Sequence, residues 1–527
     1  MRFLITRFVN LWIISLLTLS METHRLHALP QVAIPDEITQ ITESAIMISA
    51  GWHHTCAVTS AGAAKCWGDN DFGQLGDGEV FKDSRKPVNV VGLSSGVVAI
   101  AAAYYHTCAL TNTGGIKCWG SNNWGQLGNG SAIFRFPTPV DVVGLNSGVI
   151  AIDTKWDHTC ALTAAGGVKC WGHNHHGQLG DGTNFYRRTP VDVIGLTSGV
   201  VAIAVGQWHT CALTNSGAVK CWGMNGSGQV GDGTIDTIRR TPVDVAGLNS
   251  GVNTIAAGYL YNCAGLTIGG SKCWGFNIRG QLGDGTQSSK ATPVSVAGLT
   301  NGVNSMSASE GHTCAIMSSG GVKCWGGNNA GQLGDGTDTN RSTPVDVAGL
   351  SNGVIVVAAG DVHTCAVTST GAAKCWGNNT FGQLGAEASP PRNFTPLNVT
   401  GLNGVNISAT TTITGTVGSS FVFSATGFIS NTTNTIYLNK IETGLIAAAI
   451  TPIGDVTSDN DGNFVFTLVT SQQTPLGTYT VSVGNAQNLF TLDSTSGLQQ
   501  PTHQGTVLQI PDKLNDQEIF LPLVRRQ

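Results

Sequence analysis

The chain has 527 residues, enough for two or more domains, and only 11% of them are charged, against about 25% in an average soluble domain. Seventy glycines and a formal net charge of −5 favour many tight turns. They exclude the basic face that supplies most of a nucleic-acid binder's affinity.

At the N-terminus, Arg2 and Arg7 precede an apolar run from Phe8 to Leu19, then a polar stretch from Ser20 to His27, and Ala28. This is the pattern of a secretory signal peptide over 1–28, and the run is too short to span a bilayer. Residues 29–46 include Pro30, Pro35, Asp36 and Glu37 and read as a linker.

From 47 to 402 one unit recurs seven times. Its first copy contains His54-Thr55-Cys56-Ala57-Val58-Thr59-Ser60-Ala61-Gly62-Ala63-Ala64-Lys65-Cys66-Trp67-Gly68. Gly62 sits where a three-residue hairpin loop needs a positive φ. Folding about Ala61 opposes Val58 to Ala64, Ala57 to Lys65 and Cys56 to Cys66, the last at a narrow, non-hydrogen-bonded pair where a disulfide fits. The same offset predicts seven cross-strand disulfides, joining Cys56 with Cys66, Cys108 with Cys118, Cys160 with Cys170, Cys211 with Cys221, Cys263 with Cys273, Cys314 with Cys324 and Cys365 with Cys375. Zinc is the rival reading, but its cysteines prefer spacings of two to four residues on a tight knuckle. Seven disulfides imply an oxidising compartment, hence a secreted or cell-surface protein.

After each hairpin comes Gly-Gln-Leu-Gly-Asp-Gly or a variant, then a Pro-Val or Pro-Leu strand beginning at Pro87, Pro139, Pro190, Pro242, Pro293, Pro344 or Pro396. A Gly-Leu turn then leads into a strand such as Val97-Val98-Ala99-Ile100-Ala101. About four strands per repeat is the pattern of a propeller blade, and seven blades can close a ring. Blade five replaces the motif histidine by Tyr261 and carries Gly265 within its hairpin, which predicts a shifted hairpin there.

The tandem of His-Thr-Cys-Ala-Leu-Thr, Gly-Gly-Val-Lys-Cys-Trp-Gly and Asn-x-x-Gly-Gln-Leu-Gly-Asp-Gly resembles the regulator-of-chromosome-condensation repeat family. The resemblance covers roughly two thirds of the chain and implies a seven-bladed β-propeller. It also implies nucleotide exchange on a small GTPase as an alternative activity.

Residues that repeat from blade to blade read as structure. The indoles of Trp67, Trp119, Trp171, Trp222, Trp274, Trp325 and Trp376 should pack between blades. His54, His106, His158, His209, His312 and His363 should serve as hydrogen-bonding struts. Function is expected where blades differ. In an antiparallel meander, the connections from first to second strand and from third to fourth emerge on one face. The former carry Trp52, Tyr104, Tyr105, Trp156, Trp208 and Tyr259, but Glu310 and Asp361 in blades six and seven. The latter carry Phe81, Arg85, Phe134, Arg135, Phe136, Phe185, Tyr186, Arg187, Arg188, Arg239 and Arg240 in blades one to four. Aromatic and arginine residues on one arc have the composition of a protein-binding hot spot, and exposed indoles also suit a glycan. His173, His175 and His176 lack a convergent carboxylate or cysteine, so no metal, cofactor or catalytic group is assigned.

Over 403–493 cysteine and tryptophan vanish. Short alternating strands appear at Ser420–Ser424, Thr435–Leu438, Phe464–Leu468 and Thr478–Val483, the pattern of a small immunoglobulin-like β-sandwich. The turn Asp459-Asn460-Asp461-Gly462 begins like a calcium loop, but Thr470 stands where the closing glutamate is needed. Residues 494–527 read as a polar tail with a short apolar end at Ile519–Val524. The expectation is an all-β chain: a seven-bladed propeller followed by a sandwich, serving as a non-catalytic protein-binding scaffold with no transmembrane segment in its mature form. An exchange factor and an extracellular carbohydrate binder or enzyme remain the alternatives.

Overall fold

A computed structural model describes residues 43–387 and 389–404 and, beyond them, short segments between 406 and 509. The first blade is an antiparallel meander of Ala45–Ala50, His54–Thr59, Ala64–Gly68 and Ser84–Asn89, bonded in sequence order. Six more four-stranded sheets repeat it, the last formed by Val354–Ala359, His363–Thr368, Ala372–Asn378 and Arg392–Asn403. The fold is a seven-bladed all-β propeller. Each blade's first strand lies innermost, and together these strands line a central cavity of about 200 Å³. The second strand is buried along its whole length in blade one, because both of its faces meet other protein.

The hairpin register is the expected one. Val58 faces Ala64, Ala57 faces Lys65 and Cys56 faces Cys66, with Gly62 at φ 77°. The disulfides are those expected: Cys56 bonds Cys66, Cys108 bonds Cys118, Cys160 bonds Cys170 and Cys211 bonds Cys221. Cys263 likewise bonds Cys273, Cys314 bonds Cys324 and Cys365 bonds Cys375. Their Cα atoms lie 4.0–4.1 Å apart, and no cysteine is free. Each bridge is buried beneath the indole of the next blade, as Cys56 and Cys66 are beneath Trp119. Burying one such indole contributes about 4–6 kcal/mol by area as an upper estimate.

The interblade contacts repeat around the ring. The Trp119 indole N–H donates to the Gln74 carbonyl at 2.9 Å, and the Thr107 hydroxyl donates to the same oxygen at 2.9 Å. That hydroxyl therefore accepts from His54 Nε2 at 2.9 Å, which places the proton on Nε2 and leaves Nδ1 bare. Burial accordingly drives His54, His106 and His312 down to about 3. In blade five Tyr261 takes over the strut, its hydroxyl donating to the His312 carbonyl at 2.6 Å. Asn262 there stands in for threonine and accepts from His209 Nε2 at 3.0 Å.

Blade seven meets blade one through the same set. Trp67 donates to the Gln383 carbonyl at 2.9 Å, and Thr55 Oγ1 lies 2.8 Å from His363 Nε2. Ala45 N donates to Gly371 O at 2.8 Å, as Val97 N does to Gly62 O at 2.9 Å between blades two and one, and Glu43 N donates to Gly401 O at 2.8 Å. Gly382 shows why its turn needs glycine. Its φ is +85°, and a Cβ there would lie 2.7 Å from the Arg85 Cα across the junction.

Three sequence expectations are corrected. The fourth strands begin three or four residues before their prolines, at Ser84, Arg135 or Arg187 for example. They form the outer edge, where a proline's missing N–H costs no ladder bond. Blade five's hairpin is not shifted, since Cys263 faces Cys273 and Gly265 faces Ser271. The segment read as polar tail contributes a strand, Thr506–Gln509, parallel to Phe464–Val469, with Leu508 buried.

The C-terminal residues form two sheets. One joins Asn406–Ala409, Ser420–Thr426, Phe464–Val469 and Thr506–Gln509. The other joins Thr414–Gly415, Ala486–Leu492, Gly477–Val483, Thr433–Ile441 and Thr451–Thr457. Phe423, Leu438, Phe466 and Val481, drawn from both sheets, belong to one apolar cluster. The signal segment 1–28, most of the linker, the Asp459–Gly462 turn and the apolar end at 519–524 lie outside the described residues.

Candidate functional site

The two variable connections of each blade meet on one face, as ring contacts between them show. Phe381, His53, Trp52, Tyr104 and Trp156 form a column of stacked rings drawn from blades seven, one, two and three. Successive centroids lie 4.7, 4.0, 3.9 and 4.3 Å apart. Trp208 and Tyr259 continue it at 6.0–6.1 Å. Tyr105 packs against Phe72 at 4.4 Å. These rings are half-buried, so the column is largely packed by itself.

The outer rim is more exposed. Phe81, Phe134 and Phe185 are 67%, 54% and 68% exposed, and Arg85, Tyr186 and Arg240 are also exposed. Arg188 lies over the Tyr186 ring at 5.2 Å. Phe136 is half-buried and opposes Gly120 in the sheet. Arg187 and Arg239 have work within their own blades, pairing with Asp181 and Asp232 at 2.6 Å. These carboxylates are those of the Gly-Asp-Gly turns, and hydrogen bonds from threonine and arginine hold both below the usual carboxylate range despite partial burial.

Sequence reasoning missed Phe72, Trp124 and Phe381, and weighed His176 only as a metal ligand. Each stands immediately before the first glycine of Gly-Gln-Leu-Gly, where the other blades carry Ser227, Arg279 and Ala330. The backbone N–H at this position bonds the motif glutamine, as Phe72 N does to Gln74 Oε1 at 2.9 Å, and the side chain is thereby free to vary. That variation beside an invariant Gly-Gln pair was the available signal. Trp124 gathers His173 and His175 at 4.7 and 5.1 Å, and Gln178 Nε2 donates to His173 Nδ1 at 2.7 Å. The histidine cluster is thus joined to the aromatic face.

The opposite sector carries Glu310, paired with Arg279 at 3.8 Å, and Asp361. Burial and the neighbouring Glu310 push Asp361 up to about 7, and Ser309 Oγ donates to it at 2.9 Å. Lys155 reaches across the mouth from blade three and donates to the carbonyls of Ala308 and Ala257 at 2.6 and 3.2 Å. Gly51, Ala103, Gly206, Gly258, Ser309 and Gly360 fill the equivalent place elsewhere. Below it, burial raises Asp153 to about 6, although Val205 N donates to its carboxylate at 2.7 Å. Among the described residues no helix is long and apolar enough to cross a membrane.

Comparison with known proteins gives a consistent picture. The family model of the RCC1-like domain matches residues 19–264 and 95–423. The ultraviolet-B receptor UVR8 of Arabidopsis thaliana is 31% identical over 384 residues, covering 71% of this chain and 86% of that protein. The human E3 ubiquitin-protein ligase HERC2 is 32% identical over 289 residues, 54% of this chain but only 6% of HERC2. Among solved structures, Prp20p of Saccharomyces cerevisiae aligns with a TM-score of 0.56 at 22% identity, over 68% of this chain and 88% of its own. Human WBSCR16 aligns with a TM-score of 0.55 at 22% identity, over 61% and 86%. At these identities the two structures speak for the fold.

Proposed function

The chain belongs to the RCC1-like domain family, and on that premise we propose that it is a secreted or cell-surface, non-catalytic scaffold that binds a protein through the aromatic face of its propeller. The observation that carries this reading is the exposed rim of Phe81, Phe134 and Phe185 around a column of stacked rings. Large apolar side chains gathered in water on one rim are retained for a partner that covers them. The half-buried stacked rings give the rigid element that a hot spot needs. Relatives support the class of ligand: Prp20p is described with its binding to Gsp1p and histones, and yeast RCC1 with Kap60 bound.

Seven disulfides support an oxidising compartment over the reducing one in which a GTPase exchange factor would work. We read the two C-terminal sheets as an immunoglobulin-like spacer that carries the propeller.

The test is affinity capture from extracellular and envelope proteins with the oxidised chain and with a Phe81→Ser, Phe134→Ser, Phe185→Ser variant. These side chains are exposed, so the variant should keep its disulfides and its unfolding midpoint. A protein retained by the parent and lost by the variant supports the reading. Identical retention by both, or retention of glycans alone, refutes it.

A further inference from the structure

The rim contains one cation that the repeat pattern has released from its usual partner. In blades three, four and six an arginine faces the glycine that follows the motif tryptophan, as Arg187, Arg239 and Arg341 do. Each pairs with the Gly-Asp-Gly carboxylate of its own blade at 2.6–2.8 Å. Blade two alters both halves of this pair. Asn129 replaces the aspartate, and Phe136 takes the position facing Gly120, which moves Arg135 outward to face Ser121. Among the described residues no carboxylate lies within ion-pair distance of Arg135.

Two aromatic rings hold it instead. The Arg135 guanidinium carbon is 4.9 Å from the centroid of Phe81 in blade one and 5.1 Å from that of Phe134. Phe81 occupies the left-handed backbone region, φ 57°, which non-glycine residues rarely adopt. Its N–H donates to the Asn70 carbonyl at 2.9 Å, as that of Asp236, at φ 59° and the same place in blade four, does to Asn225 at 3.0 Å, so the turn sets this conformation and presents the ring two-thirds exposed.

We propose that Arg135 is the anion-recognising anchor of this face, and that it takes an Asp or Glu side chain of a protein partner flanked by apolar residues. This rests on the reading of the face as a protein-binding surface. A guanidinium already confined between rings has less freedom to lose on binding, and its N–H fork matches a carboxylate in two parallel bonds. The flanking rings supply apolar contact on either side of that bond. The groups that hold Arg135 are the Phe81 and Phe134 rings, which suit one carboxylate with apolar neighbours, whereas a phosphate draws cations to the same point.

The experiment is selection of short random peptides displayed on phage against the full oxidised chain, with Arg135→Ala, Arg135→Lys and the triple serine variant in parallel. The expected result is enrichment of peptides with Asp or Glu beside aromatic or aliphatic residues. Synthetic copies should lose affinity by about tenfold or more on Arg135→Ala. They should lose as much when their own acid is changed to its amide, and lysine should restore only part, because it cannot form the planar fork. Peptides that need the rim phenylalanines but carry no acid, or that bind Arg135→Ala undiminished, overturn the anchor and leave the face intact. Peptides that bind the triple serine variant as well as the parent, or no enrichment over blank matrix, overturn both.

Discussion

Replacing His54 by glutamine tests the strut network through its pH dependence. The His54 ring is wholly buried, donates from Nε2 to Thr107 Oγ1, and is held down to about 3, whereas an unfolded histidine titrates near 6.5. Above pH 6.5 neither state binds the proton and the group contributes nothing to the pH dependence. As pH falls, the unfolded chain takes up a proton that the native ring refuses, and stability is lost. Between pH 7 and pH 5 that loss is about 2 kcal/mol for this one ring. Glutamine keeps an N–H donor and does not titrate, so the variant should be less stable at pH 7 by about 1 kcal/mol and equal or superior to the parent at pH 5. Asp361 and Asp153, raised to about 7 and about 6, act with the opposite sign: the native state protonates them first and gains stability as pH falls. Both proteins share them, so they cancel in the comparison. Urea unfolding of the two proteins at pH 7, 6 and 5, followed by tryptophan fluorescence, reads the difference. A deficit that stays constant with pH would refute the buried neutral ring.

Gly382→Ala should destabilise the chain by about 1–3 kcal/mol, because it combines φ +85° with a contact to the Arg85 backbone. A melting curve reads it, and an unchanged midpoint would deny the close approach. The fourteen cysteine sulfurs should give no reaction with a thiol reagent in the folded, unreduced protein or after unfolding without reductant, since none is free. One mole of thiol per mole of chain would contradict the pairing. Arg239→Ala removes a pair with Asp232 whose arginine is one-third exposed, and should cost less than about 1 kcal/mol while leaving capture of the partner intact.

The propeller was legible because its information is repeated. A glycine at a fixed offset from two cysteines predicts a hairpin once, and seven copies at constant internal spacing exclude a coincidence. Errors arose where a residue's usual meaning depended on its neighbours. Proline reads as a strand start, yet on an outer edge it sits inside the strand. Gly265 reads as a disruption, yet it keeps the common register. The candidate face was half legible. Aromatic residues in variable loops stood out, whereas Phe72 and Phe381 were concealed in a turn whose asparagine, glutamine and glycines never vary. Lys155 was missed because a single lysine is unremarkable along a chain. It becomes notable only when aligned with the small residues at the same place in the other six blades.

Because every blade is cut from one continuous stretch, the junction between blades seven and one is held by the same bonds as the others but has no peptide connection across it. A strand borrowed from the other terminus would have riveted that seam. Here the ring behaves as a split washer, in which opening at one predetermined place leaves every sheet whole. Amide exchange should therefore be fastest at Ala45 and Glu43 among the interblade bonds, and any unfolding that begins in the propeller should begin there.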